Sequence, residues 1–208
     1  MNRIVVPEIL DELSPDDPAA IRSRCDLRMI NQFMRGQEWI LNQLTGMNDV
    51  KRVVELGAGD GELCNRIKKQ QRDCEVVGLD LIIRPDSVDQ DVLWESVSVL
   101  DYDGYSSDTV VVANLFIHHL QKDELNLLGE KMKSVRAVLF SEPYRGAVGL
   151  WMGRLIFPLV NYVTRHDMIV SIKAGFKSGE IESLLGGDFQ WEESKGLCGG
   201  FRVKGVRL

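Results

Sequence analysis

Three glycines at a spacing of two residues are the most informative feature of the chain. Residues 53–61 read Val-Val-Glu-Leu-Gly-Ala-Gly-Asp-Gly, with Gly57, Gly59 and Gly61 following an apolar run. Because glycine lacks a Cβ atom, such a turn lets the backbone approach a ligand and then enter a helix sharply. A dinucleotide-binding loop would have its third glycine three residues after the second, where Glu62 stands. The spacing therefore disfavours NAD or FAD as the ligand.

Polar side chains stand at the ends of the next predicted strands. Asp80 ends the second strand, where a carboxylate can accept hydrogen bonds from both ribose hydroxyls. Asp101 and Tyr102 end the third, where the carboxylate can accept from an adenine amino group and the neighbouring ring can flank the base. Asn114 closes the fourth. Since open α/β sheets bind ligands at the carboxyl ends of their strands, this order predicts a nucleoside across those ends.

These segments resemble the successive motifs of the class I methyltransferase superfamily. The similarity covers residues 51–142, with Glu-x-Gly-x-Gly-x-Gly at 55–61, Gly-Leu-Asp-Leu at 78–81, Val-Leu-Asp-Tyr at 99–102 and Val-Val-Ala-Asn-Leu-Phe-Ile-His-His-Leu at 111–120. The resemblance implies S-adenosylmethionine as cofactor and S-adenosylhomocysteine as product. It implies that the glycine turn holds the methionine part, that Asp80 and Asp101 hold ribose and adenine, and that Glu55 lies beneath the methionine amino group. The predicted cofactor contacts are Glu55, Gly57, Ala58, Gly59, Gly61, Asp80, Leu81, Asp101, Tyr102 and Asn114.

Each acidic residue of this set also has a purely structural interpretation. Asp80 can cap a loop, Asp101 can be a solvated turn residue, and Glu55 can accept hydrogen bonds from loop amides. Both interpretations stay open from the sequence alone.

Methyl transfer requires alignment more than reactive side chains. The methyl carbon is already activated by the sulfonium, so the protein must orient the nucleophile and exclude water, and no metal is needed. An oxygen nucleophile must lose a proton, and His118 and His119 follow the fourth strand, where the acceptor should meet the methyl group. His166, next to Asp167, is a third candidate base. The alternative for all three histidines is a structural hydrogen bond.

A long connection, residues 143–177, follows the fifth strand and is rich in apolar and aromatic residues. It predicts a lid over the acceptor, with Tyr144, Arg145 and Trp151 as substrate contacts. The alternative is plain core packing or the face of a homodimer. The Asn/Asp-Pro-Pro-aromatic sequence of many N-methyltransferases is missing at 114–117, which favours oxygen or carbon as the target. Residues 164–176 look like bacterial methyltransferases of polyketide and aromatic pigment pathways, so we expect a small, partly apolar or aromatic acceptor.

The elements that would position these residues alternate between strands and helices. Apolar runs predict strands at 52–56, 75–79, 96–100, 109–113 and 137–141, with helices at 61–71 and 122–134, and two further strand-like runs at 189–195 and 201–208. This alternation predicts an α/β fold: a Rossmann-like, doubly wound, mostly parallel seven-stranded sheet with an antiparallel C-terminal hairpin. We expect one domain, with a helical N-terminal cap at 1–50, a cofactor-binding core at 51–142, a helical insertion at 143–177, and a terminal helix and hairpin at 178–208.

Composition excludes several other classes of protein. The 208 residues are 44% hydrophobic and 27% charged, which is ordinary for a folded, water-soluble domain. The net charge of −6 disfavours nucleic acid as the main partner. The four cysteines, Cys25, Cys64, Cys74 and Cys198, are far apart, which indicates reduced, at least partly buried thiols. We expect a cytoplasmic protein without a signal peptide or membrane span.

Rival functions are a non-catalytic nucleoside-binding protein, an NAD-dependent oxidoreductase, and a protein or RNA methyltransferase.

Overall fold

A seven-stranded mixed sheet forms the centre of the protein. The computed structural model describes residues 1–14, 16–196 and 199–207. The strands are β1 (Arg52–Leu56), β2 (Glu75–Asp80), β3 (Val92–Ser96), β4 (Thr109–Asn114), β5 (Ala137–Pro143), β6 (Phe189–Lys195) and β7 (Gly200–Arg207). They lie in the order β3-β2-β1-β4-β5-β7-β6, and β7 alone runs against the others. The predicted doubly wound sheet with its antiparallel C-terminal hairpin is confirmed.

Helices cover both faces of this sheet. They are α1 (Ile9–Glu12), α2 (Pro18–Met34), α3 (Gly36–Thr45), α4 (Glu62–Gln70), α5 (Lys122–Lys131), α6 (Ala147–Leu155), α7 (Tyr162–Ala174) and α8 (Glu180–Leu185). The central strands are buried on both sides, as continuous apolar runs require, and all seven residues of β5 are buried. Apolar side chains form one core on each face of the sheet. The helical N-terminal segment and the helical insertion after β5 are both present.

The third strand lies earlier in the chain than the sequence predicts. We expected it at 96–100, but β3 pairs with β2 over Val92–Ser96, and residues 99–101 form a turn. The Leu100 backbone N–H donates to Ser98 Oγ in that turn, at 3.2 Å. Asp101 and Tyr102 therefore do not end a strand.

The N-terminal helices pack on the insertion that follows β5. Asp26 of α2 accepts hydrogen bonds from the Asn161 backbone N–H, at 2.9 Å, and from the Thr164 hydroxyl, at 3.2 Å. Asn161 caps α7 by accepting from the backbone N–H of Thr164, at 2.9 Å. The two helical segments thereby enclose the region beyond the carboxyl ends of β4 and β5.

Cys64 and Cys74 are buried free thiols, whereas Cys25 is exposed, so the prediction of burial is wrong for Cys25; Cys198 lies outside the described residues. Within the described part of the chain, no helix combines the length and the apolar character that a bilayer crossing requires.

Candidate functional site

The glycine turn after β1 has the backbone conformation that favours glycine. Gly57, Gly59 and Gly61 have φ angles of 64°, 55° and 74°, in the left-handed region. The backbone N–H of Ala58 donates to the Leu79 carbonyl at 2.9 Å, which fixes the turn to β2. A Cβ atom on Gly59 would meet no described atom within 4 Å, so this side of the turn is open. The turn therefore offers backbone to a ligand at the carboxyl end of β1.

Asp80 links the glycine turn to the end of β2. Its Oδ2 accepts from the Gly59 backbone N–H at 2.7 Å, and its Oδ1 accepts from the Ile82 N–H at 3.2 Å. Leu81 follows directly and is 77% exposed, and Ile83 is also largely exposed. A half-buried carboxylate beside exposed apolar side chains suits a ribose with its attached base.

Glu55 is buried within β1, against α4. Cys64 Sγ donates to its Oε2 at 2.8 Å. Burial, with a smaller contribution from the charges of Asp60 and Asp80, raises the pKa of Glu55 to about 8 although the Cys64 hydrogen bond opposes the shift. The carboxyl group is therefore largely protonated at neutral pH, unless a cation lies next to it.

This pKa predicts how Glu55→Gln changes the pH dependence of stability. The folded state holds a proton on Glu55 up to about pH 8, whereas an unfolded glutamate releases it near about 4.3. The wild type should therefore lose stability relative to the variant as the pH rises from 5 to 8. Urea unfolding of both proteins at the two pH values measures this difference. If the difference in unfolding free energy between wild type and variant is the same at both pH values, Glu55 is ionised in the folded protein.

The structure places Asp101 and Tyr102 at a turn beyond β3 and not at the end of a strand. Asp101 is exposed in the turn beyond β3. The buried Tyr102 hydroxyl accepts from Arg52 Nη2 at 2.7 Å, and Arg52 begins β1, at the end opposite the glycine turn. Tyr102 therefore cannot flank a base at the carboxyl ends of the strands. Val97 and Ser98 are the residues that directly follow β3.

A largely apolar cavity of about 510 Å³ lies beyond the carboxyl end of β4. Its apolar wall comes mainly from α2, α6 and α7, with Leu27, Ile30, Met34, Met152, Ile156 and Met168 among its side chains. Its polar wall contains Glu8, Asp11, Asn31, Asn114, His118 and His119. Asn31 Oδ1 is buried and has no hydrogen-bond partner among the described residues. The cavity thus combines an apolar volume with a polar wall rich in titratable groups.

His118 lies between two carboxylates at this polar wall. Its Nδ1 donates to Glu142 Oε2 at 2.7 Å, and its Nε2 lies 3.9 Å from Glu8 Oε1. Burial alone would lower the pKa of His118, but Glu142 and Glu8 outweigh it and raise the pKa to about 9. Burial and the neighbouring His118 lower the pKa of His119, whose ring centroid lies 4.2 Å away. That one of the two is a base stays a prediction.

Glu142 was not recognised as a site residue in the sequence. It belongs to β5, is fully buried, and its Oε1 accepts from the backbone N–H groups of Phe116 and Ile117, both at 3.0 Å. These two residues begin the 3₁₀ turn that carries His118 and His119. The sequence signal that could identify it is a carboxylate directly after the apolar run predicted as the fifth strand at 137–141.

Glu8 reaches the cavity through long-range contacts of the N-terminal segment, residues 1–14. The Arg3 guanidinium donates to the carbonyls of His118, Leu120 and Ala174, at 2.7 to 2.9 Å. Asp167 accepts from the Ile9 and Leu10 N–H groups, at 2.8 and 3.0 Å, and Ser171 donates to Glu8. The segment is thereby fixed across α7 and the histidine turn.

Four predicted catalytic or substrate residues have other contacts. His166 is 48% exposed and pairs with Asp167, and it does not line the cavity. Trp151 is 63% exposed. Tyr144 packs on Phe201, and the buried Arg145 pairs with Glu180 and donates to the Gly175 carbonyl at 3.0 Å. Tyr144, Arg145 and Trp151 therefore do not line this cavity, whereas Met152 and Ile156 of the same insertion do, and the role of the three as substrate contacts stays a prediction.

The glycine turn and the cavity are joined through the end of β4. Asn114 lines the cavity, and Phe116 packs directly against Gly57, so that a Cβ atom there would overlap its ring. Leu115 between them has a φ of 56°, uncommon for a residue other than glycine, and its N–H donates to the Ser141 carbonyl at 2.8 Å. A ligand on the turn would consequently lie next to one in the cavity.

Comparisons with known proteins agree with this architecture. No protein-family model and no curated protein matches the chain. Among solved structures, the plantazolicin methyltransferase BpumL in complex with S-adenosylhomocysteine aligns with a TM-score of 0.72 at 11% identity, over 93% of this chain and 92% of that chain. The pyocyanin biosynthetic protein PhzM aligns with a TM-score of 0.67 at 18% identity, over 97% of this chain and 62% of that chain. Magnesium protoporphyrin IX methyltransferase from Synechocystis PCC 6803 aligns with a TM-score of 0.57 at 15% identity, over 89% and 86%. The chain therefore has the class I methyltransferase fold that its motifs predict.

Proposed function

We propose that this protein is an S-adenosylmethionine-dependent methyltransferase that acts on a small, partly apolar acceptor. The observation that carries the proposal is the junction at Phe116, where an open glycine turn and a histidine-lined apolar cavity meet beyond β1 and β4. A cofactor on the turn would direct its methyl group towards an acceptor in the cavity. BpumL and the Synechocystis enzyme, which share the fold, were solved with bound S-adenosylhomocysteine, which supports the choice of cofactor.

The proposed cofactor contacts are a reduced form of the set predicted from the sequence. The turn residues Gly57, Ala58, Gly59 and Gly61 would face the methionine part, with Glu55 beneath its amino group. Asp80 would accept from the ribose hydroxyls, Leu81 would cover the base, and Asn114 would lie between cofactor and acceptor. Tyr102 is left out because its hydroxyl contacts Arg52 at the opposite end of β1, while Asp101, exposed in the turn beyond β3, stays a proposed adenine contact.

The acceptor is proposed from the shape and chemistry of the cavity. A volume of about 510 Å³ with a mainly apolar wall suits a drug-sized or smaller molecule. The buried Asn31 Oδ1 and the carboxylates of Glu8 and Asp11 can accept hydrogen bonds from hydroxyl groups. O-methylation of a hydroxylated, partly aromatic compound therefore suits this polar wall.

Asp80→Ala should weaken the binding of S-adenosylhomocysteine. Loss of charge-assisted hydrogen bonds costs about 1 to 3 kcal/mol, which corresponds to a roughly 5- to 150-fold higher Kd. Calorimetric titration measures the affinity, and Asp108→Ala is the matched control, because Asp108 is a largely exposed acidic residue directly before the start of β4, at the opposite end of the sheet. Equal affinities of the Asp80 variant and the wild type would remove Asp80 from the cofactor site.

Two measurements test the proposed activity directly. Calorimetry should show binding of S-adenosylhomocysteine and none of NADH; the reverse result would indicate an oxidoreductase. Transfer of a labelled methyl group to members of a panel of hydroxylated aromatic compounds should follow. Cofactor binding without transfer to any acceptor would indicate a non-catalytic binding protein. Transfer only to macromolecules of a lysate freed of small molecules would indicate a protein or RNA methyltransferase.

A further inference from the structure

The polar wall of the cavity brings together three side chains that commonly bind metal ions. Glu8, His118 and His119 each offer one ligand atom, and these atoms lie within 4.8 Å of one another. Two imidazole nitrogens and one carboxylate oxygen form a recurrent ligand set for Zn²⁺ and Fe²⁺ in proteins. The three residues come from the N-terminal segment and from the turn after β4, so only the folded chain assembles them.

One atom of this group lacks a partner. His118 is 2% exposed, and its Nε2 has no hydrogen-bond partner among the described residues. Glu8 Oε1 lies 3.9 Å from it, beyond the length of a hydrogen bond. A buried polar atom without a partner is costly, so a group that binds both Nε2 and the Glu8 carboxylate would stabilise the site.

The surroundings of His118 match those of a metal-binding histidine. Its Nδ1–H donates to Glu142 Oε2 at 2.7 Å, which orients the ring and directs Nε2 towards Glu8. Such a carboxylate behind the ring is the usual second partner of a ligating histidine. Glu8 Oε1 lies on the Nε2 side of the ring and Glu142 on its Nδ1 side, so a cation between Nε2 and Glu8 would contact one carboxylate directly and the other through the imidazole.

We propose that Glu8, His118 and His119 bind a divalent transition-metal ion at the wall of the cavity. Three protein ligands leave coordination positions open, and the cavity provides space for a further ligand there. In this arrangement both histidines act as ligands and not as bases. The proposal also differs from the expectation from the sequence that no metal is needed. An acceptor oxygen would occupy an open position, a consequence that rests on the proposed methyltransferase function.

Zn²⁺ titration of the chelator-treated full chain tests the site without cofactor or acceptor, so its result does not depend on the proposed methyltransferase activity. Mildly alkaline buffer reduces competition from protons for the imidazole nitrogens. The wild type should bind one equivalent of Zn²⁺. Glu8→Gln and His119→Gln should each weaken binding about tenfold or more, since each removes one of three ligands. Both variants keep the Glu142–His118 pair, and circular dichroism checks that they fold.

His166→Gln is the matched control for a histidine outside the cavity. His166 is partly exposed on α7 and pairs with Asp167, so its replacement should leave the Zn²⁺ affinity unchanged. The visible absorption of bound Co²⁺ gives a second measurement, because nitrogen ligands change the spectrum of the aqueous ion. The proposal is overturned if the wild type binds no stoichiometric metal, if Glu8→Gln binds like the wild type, or if His166→Gln weakens binding as much as His119→Gln does.

Discussion

Glu142→Ala is expected to destabilise the protein by about 3 to 5 kcal/mol, the cost of removing one partner from a buried ion pair. The carboxylate accepts from three donors: the N–H groups of Phe116 and Ile117 and the Nδ1–H of His118. Alanine would leave all three buried donors without this partner and would remove the charge that faces the imidazole. Equilibrium unfolding in urea measures the loss.

Glu142→Gln separates the hydrogen bonds from the charge. The glutamine carbonyl oxygen can still accept from the two backbone N–H groups, but the negative charge next to His118 is gone. We therefore expect a loss smaller than that of alanine, together with a pKa of His118 that is lower than in the wild type, measured by NMR titration of the ring. An ordinary surface substitution costs no more than about 0.5 kcal/mol. A loss of that size or smaller for Glu142→Ala would show that this network does not stabilise the fold.

Most of the sheet could be predicted because buried parallel strands are continuous apolar runs. The predicted bounds of β1 and β6 match the structure, and those of β2, β4 and β5 differ by two residues at most. β3 is the exception. The predicted run at 96–100 alternates apolar and polar residues, but its Ser98 and Leu100 form a turn. The true strand lies at the sheet edge with Leu93 half exposed, so its burial pattern is weak.

The error in the bounds of β3 explains why Asp101 and Tyr102 do not end a strand. A strand that ended at Leu100 would have placed both at the carboxyl edge of the sheet beside Asp80. The actual strand ends at Ser96, and the chain then turns, so that Tyr102 reaches the opposite end of β1. A shift of four residues in one edge strand thus moved Tyr102 away from the carboxyl edge of the sheet and placed Asp101 in an exposed turn.

The polar wall of the cavity was only half predictable. His118 and His119 follow a buried strand, and that position identifies them as site candidates. Glu8 lies in a short segment without helical or strand periodicity, and its place depends on contacts of Arg3 and Asp167 with residues more than 100 positions away. Long-range hydrogen bonds of single side chains leave no periodic pattern in a sequence. For the same reason, the sequence does not indicate the ion pair with Glu180 that holds Arg145 away from the cavity.

The glycine turn gives the second large effect, because two of its glycines are needed for different reasons. Gly57→Ala is expected to cost about 2 to 5 kcal/mol of stability. A side chain at a φ of 64° costs about 1 to 2 kcal/mol. The new methyl group would also overlap the Phe116 ring, and overpacking of this kind adds about 1 to 3 kcal/mol. Urea unfolding of the variant checks the sum.

Gly59→Ala is the matched control in the same turn. Its φ of 55° imposes a similar backbone cost, but the new methyl group would meet no described atom within 4 Å. Its stability loss should therefore stay near about 1 to 2 kcal/mol, while its affinity for S-adenosylhomocysteine should fall about tenfold or more, because the methyl group enters the space proposed for the methionine part. Equal stability losses of the two variants would show that the Phe116 contact is not the reason why position 57 requires glycine. An unchanged cofactor affinity of Gly59→Ala would instead place the ligand elsewhere, since no described atom fills the space beside that glycine.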